Sequence, residues 1–169
     1  RLAMAAQNVS SVFETDLFLK PFEKLYIACL DLKSFPVIAD HLRSASFLLS
    51  DGVLPSNKDA GYILRRLIRR AVIHLRRVLV VESLNKEDIN IIVDNIVDFY
   101  GKEYKDLFKN KETIKKEFAF ELNRFQLTLS NGLREFYKEF PDLKSDKFES
   151  GPVVAHESKD ISGDRVFYY

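Results

Sequence analysis

Apolar residues recur along this chain at three- and four-residue steps for most of its length, the period of helices that turn one face to a core. The run from Asp16 to Leu30 keeps that period, and Pro36 to Ser50 repeats it with Val37, Leu42, Ala45 and Leu49 on one side. Asp51-Gly-Val-Leu-Pro55 breaks the pattern, which leaves Ser56 or Asn57 placed to cap a helix running to about Val81. Asn85 is placed to cap the next helix, whose Ile89, Ile92, Val93, Ile96 and Phe99 form a core stripe that stops at Gly101. A longer pattern runs from about Lys111 to Phe140, with Phe118, Leu122, Phe125, Leu129, Leu133 and Phe136 in register, and Pro141 ends it. The regular spacing of those rings favours core packing over a base-stacking platform. From Ser145 the chain turns polar, punctuated by Gly151, Pro152 and Gly163, which predicts an irregular tail stapled by Phe148 or Val153. The whole pattern predicts an all-α fold, a helical bundle of about five to six helices with an irregular C-terminal tail.

The segment from Gly61 to Val81 departs from an ordinary amphipathic helix in the chemistry of its polar side. With Arg65 set at zero and about 100° per residue, Arg69 and Arg76 fall near 40° and 20°, and Arg66, Arg70 and Arg77 near 100° to 140°. Leu64, Leu67, Ile68, Ala71, Val72, Leu75 and Leu79 occupy the opposite side, so the helix docks by one face and is basic on the other. The chain as a whole is only +1, but this segment holds six arginines and no acid; without those six, 20 basic residues face 25 acidic ones. A concentrated cationic face is an electrostatic footprint for polyanions, above all phosphate backbones. The competing reading is that carboxylates from other helices consume these arginines.

Composition narrows the class further. At 169 residues, 46% hydrophobic and 30% charged, the chain has the size of one globular domain. Six glycines and five prolines suit long helices better than turn-dense sheets. The one cysteine, Cys29, lies in an apolar run and cannot form an intrachain disulfide, so a buried thiol in a reducing cytoplasm is expected. No apolar run reaches the roughly 20 residues that cross a bilayer, and no secretory pattern opens the chain, so a soluble protein without a membrane partner is expected. Gly-rich phosphate loops, cysteine pairs and His-Glu-x-x-His arrangements are absent from the sequence.

Single residues invite sharper readings. His41 beside Asp40 suggests acid–base chemistry, yet neighbours on a helix point about 100° apart, which favours a structural histidine that holds the following loop. His74 falls at the edge between the two faces of the arginine helix, where it meets either RNA or a neighbouring helix; His156, in the tail, carries no reading. Asn57 either caps the basic helix or offers an amide that donates to and accepts from a base edge.

Ile38-Ala-Asp-His-Leu-Arg43, Asp51-Gly-Val-Leu-Pro-Ser-Asn57 and Gly61-Tyr-Ile-Leu-Arg-Arg-Leu-Ile-Arg-Arg-Ala71 together resemble the segment of alanyl-tRNA synthetases that follows their class II catalytic core. Arg1-Leu-Ala-Met-Ala-Ala-Gln7 through Thr15-Asp-Leu-Phe18 resembles the exit from motif 3, and Glu121-x-x-x-Phe125-x-x-Thr128-Leu129-x-x-Gly132 a later helix. Ile161-Ser-Gly-Asp-Arg-Val-Phe167 is similar to the stretch leading toward the editing region. The resemblance implies that residues 1–15 are the remnant of the motif 3 helix, 16–144 a helical tRNA-recognition domain, and 145–169 a tail toward the editing region. Arg1 matches the motif 3 arginine that contacts ATP phosphate, but without its strand it has no preorganised pocket. The full enzyme would join alanine to its tRNA using ATP and Mg, with partners in its own catalytic and editing domains and the alanine tRNA acceptor stem. This chain alone would bind neither cofactor and would be inactive, with no catalytic residue and no metal ligand; zinc in the family belongs to the editing region.

By the same resemblance Asn57 reads the G·U wobble pair of the acceptor stem, and Arg65, Arg66, Arg69 and Arg70 bind phosphates or the groove. The family's second reader, an aspartate, would fall just past Tyr169. Two departures stand out: Asp59-Ala60-Gly61-Tyr62 replaces the common Gly-Arg-Gly-Tyr, and Ser11-Val-Phe-Glu14 replaces a more polar Ser-Asn-Tyr-Asp. The first costs an arginine and adds an acid that suits the positive helix end but weakens anion binding there. Two other classes compete: a non-catalytic helical scaffold with internally paired arginines and no RNA role, and a DNA-binding module, which the lack of a compact helix-turn-helix disfavours.

Overall fold

A computed structural model describes residues 1–28, 33–79 and 84–141. The described residues are helical with no strand, as the periodicity predicts. In chain order they form α1 (Leu2–Gln7), α2 (Asp16–Leu19), α3 (Glu23–Ala28), α4 (Ser34–Ser50), α5 (Asp59–Leu79), α6 (Lys86–Tyr100), α7 (Lys105–Lys109) and α8 (Lys111–Glu139), with 3₁₀ turns at Val12–Glu14 and Lys20–Phe22. The expected end of the arginine helix at Val81, the cysteine at 29 and the whole tail from 145 lie outside the described residues.

Helices α4 and α5 pack along each other, and α6 and α8 close the core against them. The buried stripe of α4 is Phe35, Ile38, Ala39, Leu42, Ala45 and Leu49; Val37, expected on that side, is half-buried at its edge. Leu64, Ile68, Ala71, Val72 and Leu75 bury the apolar face of α5 as read from the wheel, and Ile89, Val93 and Ile96 that of α6. In α8 the enclosed part is short. Ile114, Phe118 and Leu122 are buried, Phe125 packs half-buried against the core, and the later positions of the stripe lose enclosure as the helix runs on.

The expected helix from Asp16 to Leu30 is instead broken into α2, a 3₁₀ turn and α3. Pro21 is the reason: it has no N–H for the carbonyl of Leu17, one helical turn back. The hydroxyl of Tyr100, at the end of α6, donates to that carbonyl in its place. Pro36, by contrast, sits in the first turn of α4, where its N–H would have had no partner.

Caps account for the other boundaries. Asn85 caps α6 in a reciprocal box with Asp88, each side chain accepting from the other's backbone N–H at 2.9 Å. Gly52 follows α4 with φ 85°, in the left-handed region where glycine is favoured. Gly101 stops α6 for a different reason: a Cβ there would lie 2.5 Å from the Val97 carbonyl oxygen. The short α7, which the periodicity did not predict, exists to bury Leu107 between α4 and α6.

Candidate functional site

The Pro55-Ser-Asn57 loop is pinned to the start of α5 by backbone contact. A Cβ on Gly61 would meet Ser56 Oγ at 2.3 Å and the Leu54 carbonyl at 2.4 Å, so only glycine lets the loop lie this close. The Ser56 N–H donates to the Gly61 carbonyl at 3.1 Å, and Ser56 Oγ both accepts from the Lys58 N–H at 3.3 Å and donates to the Lys58 carbonyl at 2.8 Å. The expected cap by Ser56 or Asn57 is therefore not formed. α5 starts two residues beyond Asn57, and the Ser56 hydroxyl is spent on Lys58, ahead of the helix. Asp59 starts the helix with φ 51°, in the left-handed region that glycine adopts most readily.

Asn57 is exposed, and its Oδ1 accepts from Arg65 Nη1, two turns into α5. Arg65 in turn places its Nε 3.5 Å from Glu121 Oε1 in α8, and Arg69 Nε donates to the same oxygen at 2.7 Å. The Glu121 side chain is fully buried, while those of Arg65 and Arg69 are 12% and 29% exposed. A lone ionised carboxylate in that position would cost several kcal/mol, so it requires both guanidinium groups. The Arg69 guanidinium also lies 5.3 Å from the centre of the Phe125 ring.

The arginine face thus divides in two. Arg65 and Arg69 reach across to α8, where the acid absent from the arginine-bearing turns of α5 is supplied from 52 residues beyond Arg69 in the chain. Arg66 and Arg70 are exposed; Arg66 stacks over the Tyr62 ring at 5.8 Å, and Arg70 has no carboxylate within ion-pair distance among the described residues. With Arg77, Tyr62, Ile63 and Ile73 they make an exposed band in which basic and apolar side chains alternate. The band can meet phosphates with its guanidinium groups and sugar or base surfaces with its apolar ones.

The other residues singled out from sequence lie elsewhere. Arg1 is exposed ahead of α1, which packs on the Val12–Glu14 turn. Among the described residues no three metal-ligating side chains come together. His41 Nδ1 lies 3.4 Å from Asp40 Oδ2, nearer than the helical wheel suggests. His74 Nδ1 lies 3.0 Å from Ser34 Oγ, which settles its edge position toward a neighbouring helix.

Two structural residues were missed. Glu121 stands three residues after Phe118 and four before Phe125, so an acid on the apolar face of α8 was the available signal. Arg43, in the Ala-Asp-His-Leu-Arg motif, sits among three rings, 5.4 Å from Phe18, 5.5 Å from Phe47 and 5.2 Å from Tyr100. Burial raises the Tyr100 hydroxyl above its ordinary pKa, and Arg43 beside it offsets part of that rise.

Residues 1–156 match the family described as tRNA synthetases class II (A), and the chain belongs to that family. Within it the similarity is to alanine–tRNA ligases, as the motifs at 38–43, 51–57 and 61–71 suggest. The chain is 38% identical over 160 residues to the alanine–tRNA ligase of Bradyrhizobium diazoefficiens, covering 91% of this chain and 18% of the relative. It is 39% identical over 148 residues to that of Saccharophagus degradans, covering 85% and 16%, and 37% identical over 152 residues to that of Francisella philomiragia, covering 86% and 17%. The chain spans less than a fifth of the length of these curated relatives.

Proposed function

We propose that this chain is the acceptor-stem recognition unit of an alanine–tRNA ligase, a cytoplasmic enzyme that joins alanine to its tRNA with ATP and magnesium. Residues 16–144 present the stem to a catalytic core, and residues 145–169 lead toward an editing region. The observation that carries the reading is the exposed pair Arg66 and Arg70, which have no carboxylate within ion-pair distance among the described residues, beside a loop that holds Asn57 out to solvent. These two arginines dock on phosphates. Arg65 and Arg69 hold the loop and α8 together and offer only their remaining N–H groups to RNA. Asn57 lies against the wide, shallow minor groove of the A-form stem and reads the G·U wobble pair.

The test is Asn57→Ala in the intact ligase. Charging of the G·U tRNA should fall by the roughly 1–3 kcal/mol of a lost base-edge contact, with little change for a tRNA carrying G·C in its place. Equal losses on both tRNAs would mean that Asn57 only shapes the loop.

The scaffold reading keeps one specific observation: Arg65 and Arg69 are indeed consumed by an internal carboxylate. It accounts for half of the four arginines named from sequence and leaves Arg66 and Arg70 unexplained.

A further inference from the structure

We infer that Glu121, which touches no RNA in this arrangement, is a positioning residue for wobble-pair reading and acts on Asn57 through Arg65. The inference rests on the proposed role of Asn57 and adds to it the residue that sets how the amide faces. Three observations support it. The Glu121 carboxylate is fully buried and its Oε2 has no hydrogen-bond partner among the described residues; at Oε1 it accepts from Arg69 Nε at 2.7 Å and faces the buried Arg65 Nε, which donates to nothing else among the described residues, at 3.5 Å. Arg65 is nearly enclosed between that carboxylate and the Asn57 loop, with its Nη1 directed to Asn57 Oδ1. Asn57 itself is exposed, so nothing but Arg65 fixes its rotation.

The chemical consequence is directional. An asparagine amide can donate and accept, and in water it flips between the two faces. With Oδ1 turned to a guanidinium N–H, the amide is oriented so that its NH₂ group faces away from Arg65, toward the RNA. It is then a donor for a minor-groove acceptor such as a pyrimidine O2, and a poor partner for the guanine amino group, which is itself a donor. Arginine is suited to this task, since its planar guanidinium can lie in charge contact with a carboxylate at one edge while donating to an amide oxygen from the other, whereas a lysine ammonium cannot span both in fixed geometry.

The experiment is a double-mutant cycle in the intact ligase, with kcat/KM measured on the G·U tRNA and on its G·C counterpart. Glu121→Gln keeps the shape and one acceptor but removes the charge that anchors Arg65. Its discrimination between the two tRNAs should fall about tenfold, within the range of one base-edge contact, and adding Asn57→Ala should lower it no further. Arg65→Lys serves as the second variant should Glu121→Gln fail to fold; it leaves the buried carboxylate a cation and should cost the same discrimination. If Asn57→Ala lowers discrimination while the Glu121 and Arg65 variants lose equally on both tRNAs, the positioning role is wrong and the reading by Asn57 stands. If Asn57→Ala leaves discrimination intact, the reading itself falls and the positioning role with it.

Discussion

At Pro21 one missing hydrogen is met by the Tyr100 hydroxyl, which donates to the Leu17 carbonyl in its place. Tyr100→Phe should cost about 1 kcal/mol, the ordinary loss for a hydrogen bond to a partly accessible carbonyl. In a Pro21→Ala background the penalty should shrink, because residue 21 would then supply the N–H. Thermal melts of the four proteins check this, and additive losses would mean that the Tyr100 hydroxyl works elsewhere. Asp59 is a second such position. Asp59→Gly and Asp59→Ala both remove the acid at the start of α5, but only glycine relaxes a φ of 51°, so the glycine variant should be the more stable by about 1 kcal/mol. Denaturant midpoints of the pair isolate that backbone term. Neither residue effect was visible in the sequence: Pro21 lies inside an amphipathic run that reads as one helix, and a left-handed aspartate has no signature of its own.

Between elements, the clearest electrostatic join is that of α6 to α8. Asp94 of α6 lies 2.7 Å from both Lys111 and Lys115 of α8. Burial alone would raise the Asp94 carboxyl, but the two lysines outweigh it and hold its pKa below the ordinary carboxylate value. Lys111 is raised, first by its contact with Asp94. The signs set a window. A lowered carboxyl stabilises the fold above its unfolded pKa and loses that contribution as pH falls below about 4, while a raised lysine contributes until pH climbs past about 10.5. Asp94→Asn should therefore lower the melting temperature at neutral pH and flatten its decline between pH 5 and pH 2; an unchanged acid-side slope would show that the pair carries no linkage.

The elements themselves were largely legible in the sequence because each rests on a local signal. The 3.6-residue stripes of α4, α5, α6 and α8, the Asn85–Asp88 box and the break at Asp51-Gly52 are all properties of neighbouring residues. What escaped was non-local. The partner of Arg69 is 52 residues away, and the ring cage of Arg43 is assembled from three separate elements. Helix α7 escaped because five residues around one buried leucine are too few to show a period.

For the molecule as a whole, the arginine face is where sequence and structure part most usefully. The wheel places all six arginines on one side and finds no acid from Gly61 to Val81, which is correct for that segment and incomplete for the bundle. Packing α8 against α5 brings Glu121 beneath two of them and divides the face into a held pair and an exposed pair. The chain spans less than a fifth of the length of its curated relatives, so the isolated 169-residue chain is expected to leave ATP–pyrophosphate exchange at background. Exchange well above background would require a nucleotide site that the present arrangement does not explain.

That division of labour is tested most directly by the salt dependence of binding to alanine tRNA. Each lost phosphate contact should reduce the log–log slope by about 1, so Arg66→Ala with Arg70→Ala should reduce it by nearly 2 while leaving the melting temperature almost unchanged. Arg69→Ala should do the reverse: it removes one cation from the buried Glu121, costs about 3 kcal/mol in stability, and reduces the slope by less than one contact. The account is contradicted if the Arg66 and Arg70 double variant binds like the parent at every salt concentration, or if Arg69→Ala flattens the slope and spares the fold.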